Sequence, residues 1–154
     1  MLARYWQDVP MPCRVEALPL ASRQINALRG KDRDAWLAWL ARVKAEGCRA
    51  LQYRLSGEMV ERLCVSHLRN RWRVLVAFES PSSAVVVTVA EHDNRSSANV
   101  YDEVYRMFRV VVPEQPRLKP ACCDGDGQPP LWGADIDELG ARAQSLLRAG
   151  RRRR

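Results

Sequence analysis

The chain has 154 residues, which at ~150 per domain predicts one compact domain. Its 25 Lys and Arg against 18 Asp and Glu leave a formal charge of +7, and 47% of its residues are hydrophobic, enough to bury a core; this argues against wholesale disorder. No run approaches ~18 consecutive apolar residues, so no membrane-spanning helix is expected, and the stretch from Met1 to Pro10 carries Arg4, Gln7 and Asp8 rather than the apolar core of a secretory leader, so the expectation is a cytoplasmic protein.

The charge is spread unevenly. Residues 1–110 hold 17 basic and 12 acidic side chains, a balance of +5, and residues 111–154 hold 8 and 6, a balance of +2, four of the 8 being Arg151 to Arg154. A positive surface favours phosphate-bearing or acidic partners through counterion release. A merely solvated basic surface has the same composition.

In chain order, Val15 and Leu18 suit a short first strand within 11–19. Ser22, Ile25 and Leu28 then predict a short helix that stops at Gly30. Asp32 reads as the N-cap of a second helix over 32–46. Its Trp36, Trp39, Leu40 and Val43 share a face, and Gly47 ends it. The short connection predicts a helical hairpin.

The period then changes. Residues 59–66 are short and strand-like. From 71 to 79 the chain alternates, with Trp72, Val74, Val76 and Phe78 on one face and Arg71, Arg73, Leu75 and Glu79 on the other. Pro81 to Ser83 turn the chain into 84–90, a β-branched run that reads as a central strand. Together these predict an antiparallel meander covered on one face by the helical hairpin, an α+β fold.

Beyond a polar loop at 91–97, Val100, Val104, Met107 and Phe108 predict a helix that Pro113 stops. Residues 111–133 read as a Pro- and Gly-rich linker. Residues 134–154 read as a C-terminal helix, with Ile136, Leu139, Ala143, Leu146 and Leu147 on one face, followed by the basic end. Residues 1–110 are the expected main domain.

The five cysteines, Cys13, Cys48, Cys64, Cys122 and Cys123, are odd in number and lack a C-x-x-C spacing, so reduced thiols are expected. Adjacent Cys122 and Cys123 could bind a metal, but the chain has only two histidines, His67 and His92, and a closed four-ligand site would need distant partners that the sequence does not advertise. No metal or other cofactor is expected.

A longer string carries more information. It runs Leu51-Gln52-Tyr53-Arg54-Leu55-Ser56-Gly57, Val60-Glu61-Arg62-Leu63, Arg71-Trp72-Arg73-Val74-Leu75, the Val85–Val89 strand, His92-Asp93 and Val100-Tyr101. In order and spacing it resembles the RelE/ParE superfamily of toxins from bacterial toxin–antitoxin modules, over roughly residues 12–109. The resemblance implies the RelE-like fold: a helical hairpin on a small sheet, then a C-terminal helix. It also implies one of two activities, RelE-like endonucleolytic cleavage of mRNA, often on the ribosome, or ParE-like inhibition of DNA gyrase. Either would be held in check by an antitoxin partner. The leading expectation is the endoribonuclease; the alternatives are the gyrase-type inhibitor and a basic, non-toxic interaction protein on the same fold.

The resemblance also implies roles. Arg73, at the aromatic-Arg position, would stabilise charge on the scissile phosphate. Arg62, with Arg69 and Arg71, would contact the nucleic acid. His92 would donate a proton, and Tyr101 would stack on a base or orient the 2′-OH. Each residue also has a plain structural reading: an exposed strand Arg, a cross-strand ion pair, a loop His, a half-buried helix Tyr. The lysines that serve several ribosome-dependent members are missing, since the chain has only Lys31, Lys44 and Lys119. No carboxylate is clearly placed as a base, with Glu61 only a candidate, and Arg stays protonated.

Overall fold

A computed structural model of the chain describes residues 12–55, 60–91, 119–132, 138, 140 and 141. Five strands form one sheet: β1 (Arg14–Ala17), β2 (Tyr53–Arg54), β3 (Leu63–His67), β4 (Trp72–Ser80) and β5 (Ser83–Glu91). Their spatial order is β1-β5-β4-β3-β2. Two consecutive helices, α1 (Pro19–Ala27) and α2 (Gly30–Glu46), come between β1 and β2. The architecture is α+β.

The meander from β3 to β5 is antiparallel, as its alternation predicts. The sheet as a whole is mixed, because β1 pairs parallel to β5, Arg14 opposite Ser83 through Ala17 opposite Val86. The expected antiparallel meander is thus extended at its β5 edge by a parallel strand. A parallel neighbour requires a long crossover, and here α1, α2 and the β2–β4 strands all intervene in sequence.

Two local boundaries also differ from expectation. Helix α1 starts at Pro19, whose missing N–H costs nothing in the first turn, and it buries Leu20 and Ala21. Helix α2 starts at Gly30, so Asp32 lies in its first turn instead of capping it. The end of α2 is as predicted. Gly47 takes φ +62°, its N–H bonds the carbonyl of Val43, and a side chain there would be strained in the left-handed region.

The core fills the space between the helices and one face of the sheet. Trp36, Trp39 and Val43 of α2 meet Cys64, Val74, Val76, Phe78, Ala84 and Val86. Trp36 and Trp39 stack with ring centroids 5.1 Å apart. The opposite face is buried too at Leu63, Val65, Leu75, Ala77 and Val85, so the centres of β3 and β4 are covered on both sides.

The cysteines depart most from expectation. Cys48, in the 3-10 turn Gly47–Ala50 after α2, is bonded to Cys123, and Cys64 of β3 is bonded to Cys122; Cys13 alone is a free, buried thiol. The expectation of five reduced thiols is therefore corrected. The pairs are 75 and 58 residues apart in sequence, so no local spacing encodes them, but folding brings their Cα atoms to 5.7 and 5.6 Å.

These bonds hold residues 119–132, part of the stretch whose composition reads as a linker, against the sheet. Ala121 bridges antiparallel to Tyr53, and Leu131 bridges parallel to Phe78. The Trp132 N–H donates to the Phe78 carbonyl at 2.8 Å, and Trp132 is buried. Between them Asp124 closes a turn by accepting the N–H groups of Asp126 and Gln128, both at 2.9 Å. Among the described residues, no helix is long and apolar enough to cross a membrane.

Candidate nucleic-acid interface

The turn joining β3 to β4 organises one end of the sheet. Asn70 adopts φ +56°, a left-handed conformation that Asn tolerates better than most residues. The Leu68 N–H then donates to the Trp72 carbonyl, and the Trp72 N–H to the Arg69 carbonyl. This tight reversal presents Arg69 and Arg71 at the tip and delivers Arg73 onto β4.

Arg73 stands directly opposite His67 in the β3–β4 register, and Tyr53 stands opposite Val65 in the β2–β3 register. Side chains alternate along a strand, so Tyr53, Val65, His67, Arg73 and Leu75 all share the face turned away from the α1–α2 core. On that face the Tyr53 hydroxyl and His67 Nε2 are hydrogen-bonded at 3.0 Å, with their rings edge to face at 5.6 Å between centroids. The His67 backbone N–H donates to Gln52 Oε1 at 2.9 Å, which ties the end of β3 to the residue before β2.

The 119–132 segment adds a cation. Because the Arg54 N–H donates to the Pro120 carbonyl at 2.8 Å and Arg54 Nε donates to the Ala121 carbonyl at 3.0 Å, the start of this segment lies along β2. That places Lys119 Nζ 5.1 Å from the centroid of the Tyr53 ring, within cation–π range.

Arg73 is held by local carbonyls. Its Nη1 donates to Asn70 O and Trp72 O, both at 3.0 Å, and its Nε is buried with no hydrogen-bond partner. Arg69 pairs with Asp32 at 3.5 Å and Arg71 with Glu91 at 3.9 Å. This end of the sheet therefore carries four cationic side chains: Arg73 and Lys119 beside the Tyr–His pair, and Arg69 and Arg71 in the adjoining turn with acidic neighbours. Such a cluster can bind an anion and exchange a proton beside it.

The expected site residues fall into three groups. Arg73, Arg69 and Arg71 are brought together at this end. Arg62 lies in the 3-10 turn Val60–Arg62 at the opposite end of β3, five residues from His67, or ~17 Å at the rise of a strand. His92 and Tyr101 lie outside the described residues. The sequence reading did not assign a role to His67, Tyr53 or Lys119. Tyr53 belongs to the quoted string, but its strand is two residues long and has no period to read. Lys119 lies 66 residues further on, in the Pro-rich stretch. Among the described residues, no group of three His, Cys, Asp or Glu side chains could hold a metal ion.

No protein-family model matches the chain, and no curated protein matches it. Among solved structures, a chain in the crystal structure of the toxin–antitoxin complex RelBE2 from Mycobacterium tuberculosis is similar over 53% of this chain and 93% of its own. The sequence identity is 18% and the TM-score 0.40.

Proposed function

We propose that the protein is the toxin of a bacterial toxin–antitoxin module and acts as a RelE-like endoribonuclease on mRNA, on or off the ribosome, until a cognate antitoxin covers it. The observation that carries this reading is Arg73. The sequence resemblance gives it the phosphate-binding role, and it stands across the ladder from an ionisable His67 with Arg69 and Arg71 in the adjoining turn. A guanidinium in that position can hold a scissile phosphate and stabilise the charge that develops on it. His92 and Tyr101 keep the roles that the resemblance implies, proton donor and base or 2′-OH contact, and Arg62 that of an outlying nucleic-acid contact.

The experiment is induced expression in a bacterial host, wild type against Arg73→Ala, with mapping of mRNA 5′ ends. Growth arrest with new ends inside translated frames, lost in the variant, is the expected result. A folded Arg73→Ala protein that arrests growth and cleaves as the wild type does would refute the role of Arg73.

One observation favours the second reading, a gyrase-type inhibitor without catalysis. The Arg73 guanidinium is turned back onto the Asn70 and Trp72 carbonyls, as a structural arginine would be. Arrest without new RNA ends, together with blocked DNA supercoiling by the purified protein, would select it.

A further inference from the structure

We infer that Tyr53 and His67 form the proton-transfer pair of the site, with Tyr53 touching the RNA and His67 taking the proton through it, and that Lys119 supports the pair from the disulfide-held segment. The inference rests on the endoribonuclease reading above and adds to it a base from within the sheet.

Three features of the arrangement lead to this. First, the hydroxyl of Tyr53 and Nε2 of His67 are 3.0 Å apart, so a tautomer with a free Nε2 lone pair accepts the phenolic proton without either ring moving. Second, the pair lies next to the anion-binding side chain. Residues directly opposite in an antiparallel ladder have Cα atoms ~4.5–5.5 Å apart, and Arg73 is the residue opposite His67. A phosphate on Arg73 thus brings its flanking 2′-hydroxyl to the same sheet face as Tyr53. Third, Lys119 Nζ lies 5.1 Å from the centroid of the Tyr53 ring, which sets a cation from the disulfide-held segment beside the pair. Imidazole is the side chain whose ordinary titration lies closest to neutrality, so it is suited to receive the proton.

The 2′-oxygen attacks phosphorus, the O2′–P bond forms and the P–O5′ bond breaks. The 2′-hydroxyl proton passes to Tyr53 Oη as the phenolic proton passes to His67 Nε2, leaving an imidazolium. The departing O5′ takes a proton from the donor named in the endoribonuclease reading, which is reprotonated by solvent, and the imidazolium returns its proton to solvent. The products are a 2′,3′-cyclic phosphate and a 5′-hydroxyl end. Arg73 remains cationic throughout and bears the charge on the phosphoryl oxygens.

The charged groups brought to this pair include Arg73 from β4, directly across the ladder from His67, and Lys119 from the 119–132 segment. Both are cations. The acidic limb of the rate profile reports protonation of the base.

The test uses the purified full-length protein with disulfides intact and a 5′-labelled mRNA of known sequence, free and on translating ribosomes. Cleavage rates are measured across pH for the wild type, His67→Gln, Tyr53→Phe and Arg73→Ala. The expected result is a loss of about 10²–10⁴-fold in both His67→Gln and Tyr53→Phe, the usual span for a general base, with the acidic limb of the profile abolished in His67→Gln. Far-UV circular dichroism and the count of one free thiol establish folding, and if His67→Gln does not fold, Tyr53→Phe decides. A wild type that cleaves, with His67→Gln or Tyr53→Phe cleaving at the same rate and on the same acidic limb, overturns the pair while leaving the endoribonuclease reading intact. A wild type that cleaves neither free nor ribosome-bound RNA overturns that reading, and the pair with it.

Discussion

Asp32, in the first turn of α2, reaches across to Arg69 in the β3–β4 turn, with 3.5 Å between carboxylate and guanidinium. The pair ties the helical layer to the basic end of the sheet and occupies one of its four cations. Both side chains keep substantial contact with water, so the bridge contributes at most about 1 kcal/mol to stability. Asp32→Ala is therefore expected to leave the unfolding midpoint almost unchanged. It should tighten RNA binding and steepen its salt dependence by up to about 0.7 in the log–log slope, one extra phosphate contact on a single strand. Filter binding across a salt series measures this, and an unchanged slope would show that Arg69 does not meet the RNA.

Trp39 is fully buried at the centre of the α2–sheet contact. Trp39→Ala is expected to cost about 3–5 kcal/mol, the usual range for removing a buried aromatic side chain. Equilibrium denaturation in urea reads the loss directly. A cost under about 1 kcal/mol would mean that the helix packs on the sheet less tightly than described.

Thiol chemistry gives a count. Denatured without reductant, the protein should titrate one free thiol, Cys13; after reduction it should titrate five. In the native protein burial raises the pKa of the Cys13 thiol, against a smaller lowering from its hydrogen bond with Ala84, so alkylation should be slow until the chain unfolds. A thiol whose ionisation is suppressed by folding favours the native state below its ordinary range, and that contribution is lost as pH rises through the folded value. A Cys13→Ala variant should therefore lose less stability than the wild type in mildly alkaline solution.

Removing either disulfide, by Cys48→Ser with Cys123→Ser or Cys64→Ser with Cys122→Ser, is expected to destabilise the fold by about 2–5 kcal/mol. It should also free the start of the 119–132 segment from Tyr53. Paired measurements of melting temperature and amide exchange at residues 119–123 check both effects. Unchanged exchange in the variants would mean that the bridges at Tyr53 and Phe78 hold the segment without the sulfurs.

Asp124 ties off the same segment. Its carboxylate accepts the Gln128 and Asp126 N–H groups, which hold its pKa below the ordinary carboxylate range, with a smaller contribution from Arg54. A depressed carboxyl contributes stability above its unfolded value, and the contribution disappears as pH falls through the folded value. Asp124→Asn should therefore lower stability by a constant amount from neutrality down to about pH 4, and by progressively less under stronger acid. Urea midpoints for the two proteins along a pH series reveal the convergence.

What the sequence made legible depended on range. The alternation from Trp72 to Phe78, the β-branched run at 84–90 and the Trp36–Trp39–Val43 stripe ending at Gly47 are local patterns, and each became the expected element. The parallel pairing of β1 with β5 has no local signature, since Val15 and Ala84 meet only once the intervening strands are laid down. The same holds for the sulfur pairs. The candidate site divides along this line. Arg73, Arg69 and Arg71 are neighbours in sequence and were legible as a basic stretch. Tyr53 and His67, fourteen residues apart, meet because Tyr53 takes its register on Val65, and Lys119 arrives through the Arg54–Pro120 hydrogen bond.

Cys122 and Cys123 are adjacent, yet they are bonded to different layers of the molecule, one to β3 and the other to the turn after α2. A single peptide link thus works as a rivet through both layers. A protease that severs the backbone anywhere between residues 49 and 121 leaves two fragments on one covalent body. On a non-reducing gel such a nicked protein runs as one species, and it separates only when the sulfurs are reduced. A single cut in this stretch accordingly leaves Tyr53, His67 and Lys119 tethered to the same frame.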